Sequence, residues 1–308
     1  MRDRLRIGTR GSTLALRQAE VVAERLRHAW PALAVEVVPI RTSGDRLASA
    51  SLAEVGGKGL FVKEIEEALR DARVEVAVHS LKDLPSEVTK GLVLAAFPER
   101  EDPRDALVSR AGGGMAALPA GARVGTSSPR RRVQLLARRP DVVAQPIRGN
   151  VDTRLRRLEE RAYDAVVLAA AGLRRLGLWP RHAVVLDPDE MLPAVGQGTL
   201  AVEVREDDGA TLERVAAVDD PTTRQAALAE RAFLGAIGGS CTTPLAGYAL
   251  LEGGRLRLRA WLATLDGARI LREDRTMSAE DPEALGRAVA EAMLARGARE
   301  IVGGSRGP

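Results

Sequence analysis

At 308 residues the chain is too long for one ordinary core and points to two or three domains. Apolar residues at 45% suffice for those cores, but aromatics at 3% leave almost no platforms for stacking bases, which argues against a nucleic-acid binder. The 46 Lys and Arg are interleaved with 42 Asp and Glu for a net charge of +4, so local clusters matter more than a global field. One cysteine allows no internal disulfide, and no CxxC or His-rich spacing suggests a metal. The charged opening residues do not read as a signal peptide, and no run approaches the roughly 20 apolar residues of a membrane span. A soluble, cytoplasmic protein is expected.

In chain order, strand-like runs at 5–8, 35–40, 74–79, 92–97, 123–125, 142–145 and 165–169 alternate with amphipathic helical segments at 12–28, 62–70, 130–138 and 152–161. Such alternation predicts α/β domains with mainly parallel sheets, whose ligands gather at the carboxyl ends of strands. Three turns of this kind are basic. Thr9-Arg10-Gly11-Ser12 precedes the first long helix. In Gly125-Thr126-Ser127-Ser128-Pro129-Arg130-Arg131, Ser128 is placed to cap a helix that begins at Pro129, with Ser127 and two guanidiniums beside it. Arg148-Gly149-Asn150-Val151-Asp152-Thr153-Arg154 repeats the arrangement one step further on. Each turn alone reads as a capped helix with a solvated arginine; the three together read as a site for several acid groups.

Between these turns, the loop at 42–59 is glycine-rich and long, either a mobile lid or plain disorder. Its Gly56-Gly57-Lys58-Gly59 lacks the spacing of a nucleotide phosphate loop. His79-Ser80-Leu81-Lys82-Asp83-Leu84-Pro85 follows a buried-looking strand, which places Ser80, Lys82 and Asp83 at its carboxyl end. Asp83 reads as an ionised carboxylate able to stabilise a cation or accept a proton, or else as half of a Lys-Asp pair decorating a turn; His79 is expected to face the core. The charged, proline-broken run 99–105 and the segment 192–198 look like crossovers that bracket a middle domain. Beyond Pro221, a helix at 222–233, three strands near Leu245, Leu256 and Ile270, and a last helix at 282–296 predict a separate α+β domain. Cys241 lies there in a loop of small residues, either an inert small hydrophobe or a point of covalent attachment.

Six stretches, in order, resemble the porphobilinogen deaminase family from end to end: 55–64, 79–85, Glu101-Asp102-Pro103-Arg104-Asp105-Ala106, Gly125-Thr126-Ser127-Ser128, Arg148-Gly149-Asn150-Val151, and Leu192-Pro193-Ala194-Val195-Gly196-Gln197-Gly198. The resemblance implies two α/β domains like the lobes of periplasmic binding proteins with a cleft between them, and a smaller C-terminal α+β domain. Domain 1 would comprise 1–98 and 199–218, domain 2 99–198 and domain 3 219–308. It implies a monomeric transferase of tetrapyrrole and haem biosynthesis that condenses four porphobilinogens head to tail, releasing ammonia and hydroxymethylbilane. A dipyrromethane cofactor would be attached covalently through Cys241. Asp83 would be catalytic. Ser80, Lys82, Asp83, Thr126, Ser128, Arg130, Arg131, Arg148 and Gly172 would hold the cofactor, and Arg10, Ser12, Arg148, Arg154, Arg175 and Gln197 the substrate, with Lys58 and Phe61 in the lid. No metal, nucleic acid or membrane enters this reading. The rival reading is a non-catalytic cytoplasmic polycarboxylate-binding protein of the solute-binding fold, which leaves Asp83 and Cys241 without a role.

Overall fold

The computed structural model describes residues 4–43, 62–240 and 242–304. In chain order the elements begin with β1 (Arg4–Arg10), α1 (Thr13–Ala29), β2 (Ala34–Ile40), α2 (Lys63–Arg70), β3 (Val76–Ser80) and β4 (Leu92–Ala96). Next come β5 (Asp105–Ser109), β6 (Arg123–Gly125), α3 (Pro129–Arg138), β7 (Val143–Gln145), α4 (Val151–Glu159), β8 (Ala165–Ala169), α5 (Ala170–Arg175) and β9 (Ala183–Val185). The remainder is β10 (Leu200–Arg205), α6 (Gly209–Ala216), α7 (Pro221–Ile237), β11 (Leu245–Glu252), β12 (Arg255–Ala263), β13 (Ile270–Ser278), α8 (Pro282–Leu294) and α9 (Ala298–Gly304). The chain divides into unit 1, Met1–Glu101 with Thr199–Arg224, and unit 2, Asp102–Gly198 with Gln225–Pro308.

Unit 1 is built on a sheet of order β2-β1-β3-β10-β4, in which β1 runs parallel to β2 and β3 while β10 is antiparallel to both β3 and β4. Both faces are covered. Leu5, Ile7, Val76, Val78, Val202 and Val204 pack with Val22 and Leu26 of α1 on one side. Ile40, Val74, Ala77 and Leu92 pack with Ile65 and Leu69 of α2 on the other. Such double burial explains why these strands are nearly continuous apolar runs instead of alternating ones. The α1 helix starts where the Ser12 hydroxyl accepts from the Ala15 amide at 3.3 Å, and its last turn carries Arg27 and His28, which suit the negative end of the helix dipole.

Unit 2 contains two sheets. The first has the order β7-β6-β8-β5-β9, with β6 parallel to β7 and β8 and β5 antiparallel to β8 and β9. The second is the antiparallel meander β11-β12-β13, whose inner face packs Leu256, Leu258 and Leu262 against Phe233 of α7 and Leu285, Val289 and Met293 of α8. Those two helices cross at backbone contact, since a side chain at Gly286 would meet the Ala229 carbonyl at 2.3 Å. Val133, Leu192, Ala246 and Trp261 join the two sheets of the unit.

Strands β5, β9 and β10 were not expected from the sequence. Asp105 falls in the charged run read as a crossover, yet it is the first residue of β5, a strand buried along its whole length. β10 reads Leu-Ala-Val-Glu-Val-Arg, an apolar run followed by only one short alternation, too little to separate it from a buried helix or loop.

Candidate active site

Every parallel strand of unit 1 ends at one edge of its sheet, and the antiparallel β10 begins there, with Leu200 opposite Ser80. At that edge β1 turns through Arg10 into the Ser12 cap, while the Thr9 hydroxyl lies 3.3 Å from both the Ala15 and the Val78 carbonyl, linking the turn to β3. β3 ends at Ser80 and tightens into a 3-10 turn over Leu81–Asp83. The turn is rigid for two reasons. Leu81 is buried and donates its amide to the Thr199 carbonyl at 3.0 Å, and Leu84 closes back on the Leu81 carbonyl at 3.2 Å. With Leu81 and Leu84 anchored inward, Lys82 is half-buried and Asp83 exposed. His79, one step back, points into the core, its Nε2 at 2.9 Å from the buried Glu203 carboxylate.

In unit 2 the same end of the parallel strands carries the other turns. Ser128 caps α3 by accepting from the Arg131 amide at 3.4 Å, and Pro129 opens the helix. The exposed Ser127 has its hydroxyl engaged within the fold: it donates to the Ile147 carbonyl at 2.7 Å and accepts the Ile147 amide at 3.0 Å, tying the turn after β6 to the turn after β7. Thr126 is buried and accepts the Ser128 amide at 3.2 Å. The second turn presents Arg148 exposed and bends at Gly149, whose φ of 101° is a left-handed conformation that favours glycine. Arg154 donates from Nε to the Gly149 carbonyl at 2.8 Å. No carboxylate among the described residues pairs with it, and burial, with Arg131 nearby, lowers its guanidinium to about 10. Gly172 is buried in α5, and Arg175 donates to the Gly198 carbonyl at 2.7 Å.

Arg130 and Arg131 are almost wholly buried around Asp105, which is itself 0% exposed. Arg130 Nη1 lies 2.7 Å from Asp105 Oδ2, and Arg131 Nη2 lies 2.7 Å from Oδ1. Gln197, also buried, donates to Asp105 Oδ1 at 3.0 Å and to the Pro103 carbonyl at 2.6 Å. Burial alone would raise the Asp105 carboxyl, but Arg130, Arg131 and the Gln197 hydrogen bond outweigh it and hold the group at about 2. At Arg131 burial, helped by the neighbouring Arg130 cation, outweighs the attraction of Asp105 and lowers the guanidinium. Sequence reasoning missed Asp105 as a functional residue. The available signal was an acid directly ahead of an apolar run, in a chain with an Arg-Arg pair in need of a counter-ion.

Lys58, Phe61 and Cys241 lie outside the described residues. Flanking Cys241, Ser240 and Thr242 share a hydroxyl contact of 2.8 Å, and the Thr243 amide donates to the Ser240 carbonyl at 3.0 Å. Among the described residues no group of His, Cys, Asp and Glu is arranged to hold a metal ion, and no helix is long and apolar enough to cross a membrane.

Comparison with known proteins converges on one family. The model described as "Porphobilinogen deaminase, dipyromethane cofactor binding domain" matches residues 5–213, and "Porphobilinogen deaminase, C-terminal domain" matches 224–295. A porphobilinogen deaminase of Roseiflexus castenholzii is 52% identical over 99% of this chain and 100% of its own length. Those of Syntrophotalea carbinolica (51% identical; 97% of this chain, 95% of the relative) and Acidithiobacillus ferrooxidans (52%; 97% of each) are similar throughout. Among solved structures, the periplasmic aliphatic sulphonate binding protein SsuA from Escherichia coli aligns over 99% of this chain and 92% of its own at 14% identity and a TM-score of 0.43, a likeness too loose to decide anything about ligand or mechanism. With both family models matched in order and half of the residues identical to full-length relatives, the chain belongs to the porphobilinogen deaminase family.

Proposed function

We propose that Asp83 is the catalytic carboxylate of a transferase that joins four porphobilinogens head to tail and releases hydroxymethylbilane. The observation that carries the assignment is its position: an exposed acid on a turn anchored by Leu81 and Leu84, beside Lys82, at the strand edge where the sheet's parallel strands end. In each condensation the carbon–nitrogen bond of the substrate's aminomethyl group breaks and ammonia leaves with the electron pair. The electron-poor carbon left behind is attacked by the free ring carbon of the preceding pyrrole, which then loses its hydrogen as a proton. A fixed carboxylate at the pyrrole N–H stabilises the transient positive charge and can accept that proton. Water completes the last step.

Each porphobilinogen carries an acetate and a propionate, and the basic turns suit them. Lys82, Arg10 and Ser12 of unit 1, and Ser128, Arg131, Arg148, Arg154 and Arg175 of unit 2, are assigned to these carboxylates, with Ser80, Thr126 and Gly172 shaping the turns that carry them. The dipyrromethane cofactor is acidic in the same way, and the residues present fit it: Arg154 has no carboxylate partner among the described residues, and the Nε of Arg130 is buried with no acceptor there. Held through Cys241, the cofactor supplies the ring carbon to which the first substrate is joined. The chain works as a monomer in the cytoplasm, without nucleic acid or membrane.

Intact mass of the denatured protein tests this reading. After incubation with porphobilinogen, the wild-type chain should be heavier than its sequence by a dipyrromethane and should release ammonia; Cys241→Ala should show neither. A bare wild-type mass with no ammonia overturns it, and favours a binding protein that grips polycarboxylates without turnover.

A further inference from the structure

We infer that Asp105 and Gln197 form a buried positioning pair that aims Arg130 and Arg131 and keeps one positive charge in surplus for an acidic ligand, an inference that rests on the reading above.

Arg130 and Arg131 are consecutive residues of α3, so their side chains leave the helix about 100° apart and do not converge unaided. They converge because Asp105 divides its oxygens between them. Oδ2 takes Arg130 Nη1 at 2.7 Å, while Oδ1 takes Arg131 Nη2 at 2.7 Å and Nε at 2.9 Å. The second oxygen of each guanidinium's surroundings is also fixed: Arg130 Nη1 donates to the Leu192 carbonyl at 2.6 Å and Arg131 Nη1 to the Val167 carbonyl at 3.1 Å. Gln197 completes the arrangement. Its amide nitrogen donates to Asp105 Oδ1, and its oxygen lies 3.5 Å from Arg130 Nη2 and 3.4 Å from Arg131 Nη2. The segment that carries Gln197 is itself pinned, because the Gly196 amide donates at 2.6 Å to Glu230, a carboxylate 0% exposed on α7.

Two guanidiniums therefore face one carboxylate in a place where solvent screens poorly. The neutral amide at 197 is the decisive choice of residue. Glutamate has nearly the same shape and reach, yet it would cancel the surplus, whereas glutamine bridges the same groups and leaves it in place. Asp105 begins β5 opposite Ala169, the last residue of β8, which puts the charge at the strand edge that carries Thr126, Arg148 and Gly172.

The test compares Gln197→Glu with Gln197→Met. Two measurements are made on each: steady-state kinetics with porphobilinogen, and calorimetric affinity for an analogue in which methyl replaces aminomethyl, which can bind but cannot condense. Loss of one charge-assisted contact corresponds to roughly 10- to 100-fold, so Gln197→Glu should raise KM and the analogue's Kd about tenfold or more while kcat changes little. Gln197→Met keeps the charge and loses only the aim, and its KM should rise by a smaller factor. Unaltered analogue affinity in a folded Gln197→Glu overturns the inference and leaves the enzyme reading intact. Wild-type protein that binds the analogue but never consumes porphobilinogen, with the affinity lost in Gln197→Glu, overturns the enzyme reading and supports the charge surplus. Should Gln197→Glu fail to fold, an unchanged KM and Kd in Gln197→Met overturns the positioning role by itself.

Discussion

In unit 1 the antiparallel strand β10 sets Glu203 against His79 at 2.9 Å, one buried acid to one imidazole, whereas in unit 2 the antiparallel strand β5 sets Asp105 against two guanidiniums at 2.7 Å. The sheets around these groups have the same plan. Reading each order from its edge, the second parallel strand, the first and the third are followed by an antiparallel strand and then a fourth parallel one. Both antiparallel strands carry a buried acid, yet only in unit 2 does the partner outnumber it. One plan thus serves two tasks: unit 1 gives its buried acid a single imidazole partner and displays Asp83 outside, and unit 2 concentrates positive charge inside.

The sharpest way to break this comparison is to remove the acid from the unbalanced cluster. Asp105→Asn leaves two buried guanidiniums without a counter-charge, and breaking such a pair from one side costs about 3–5 kcal/mol, read as a large drop in melting temperature. Acid titration sharpens the same point. A carboxyl held at about 2 contributes stability that is fully present above its ordinary value and is lost progressively from there as pH falls to about 2, so wild-type protein should keep most of this contribution at about pH 4. A melting temperature for Asp105→Asn equal to that of wild type would show that Asp105 does not hold the two guanidiniums as described.

Next in size is Asp83→Asn, which should leave melting unchanged, since the side chain is exposed, and lower porphobilinogen turnover about 10²–10³-fold. Near-normal turnover would make Asp83 a surface partner of Lys82 and would shift the catalytic acid elsewhere. Arg154→Leu comes third: removing a guanidinium that has no carboxylate of its own should stabilise or leave unchanged the free protein, and weaken binding of the acidic ligand by roughly 10- to 100-fold. The smallest effect belongs to Ser128→Ala, where loss of the cap on α3 should cost about 1 kcal/mol in denaturant unfolding.

Much of this was legible in the sequence wherever local chemistry decides the outcome. Ser12, Ser128 and Pro129 announce their helices by residue type, and β6 and β8 have the boundaries expected of them. Strands β5 and β10 were hidden because their pairing is wholly non-local and their acids, Asp105 and Glu203, look like surface residues until the partners are known. The same blindness affected the arginines. Arg130 and Arg131 were expected to meet a ligand directly, and only the fold reveals that both first meet Asp105 and Gln197. Ser127, read from its turn as part of an anion site, also fastens one turn to the next.

The place of β10 in its sheet also sets a timetable. The strand sits between β3 and β4, yet it follows β4 in the chain by roughly a hundred residues, which a ribosome needs about 5–20 s to add. Throughout that interval the nascent first sheet has a vacancy at its interior, flanked by two apolar strands with unpaired backbone, the kind of edge that recruits foreign strands. Unit 2's first sheet faces no such delay, because β5 emerges before the strands it joins. Pulse-labelled chains halted before residue 200 should therefore be held by chaperones or clump through β3 and β4, and a circular permutant that makes β10 early should escape both.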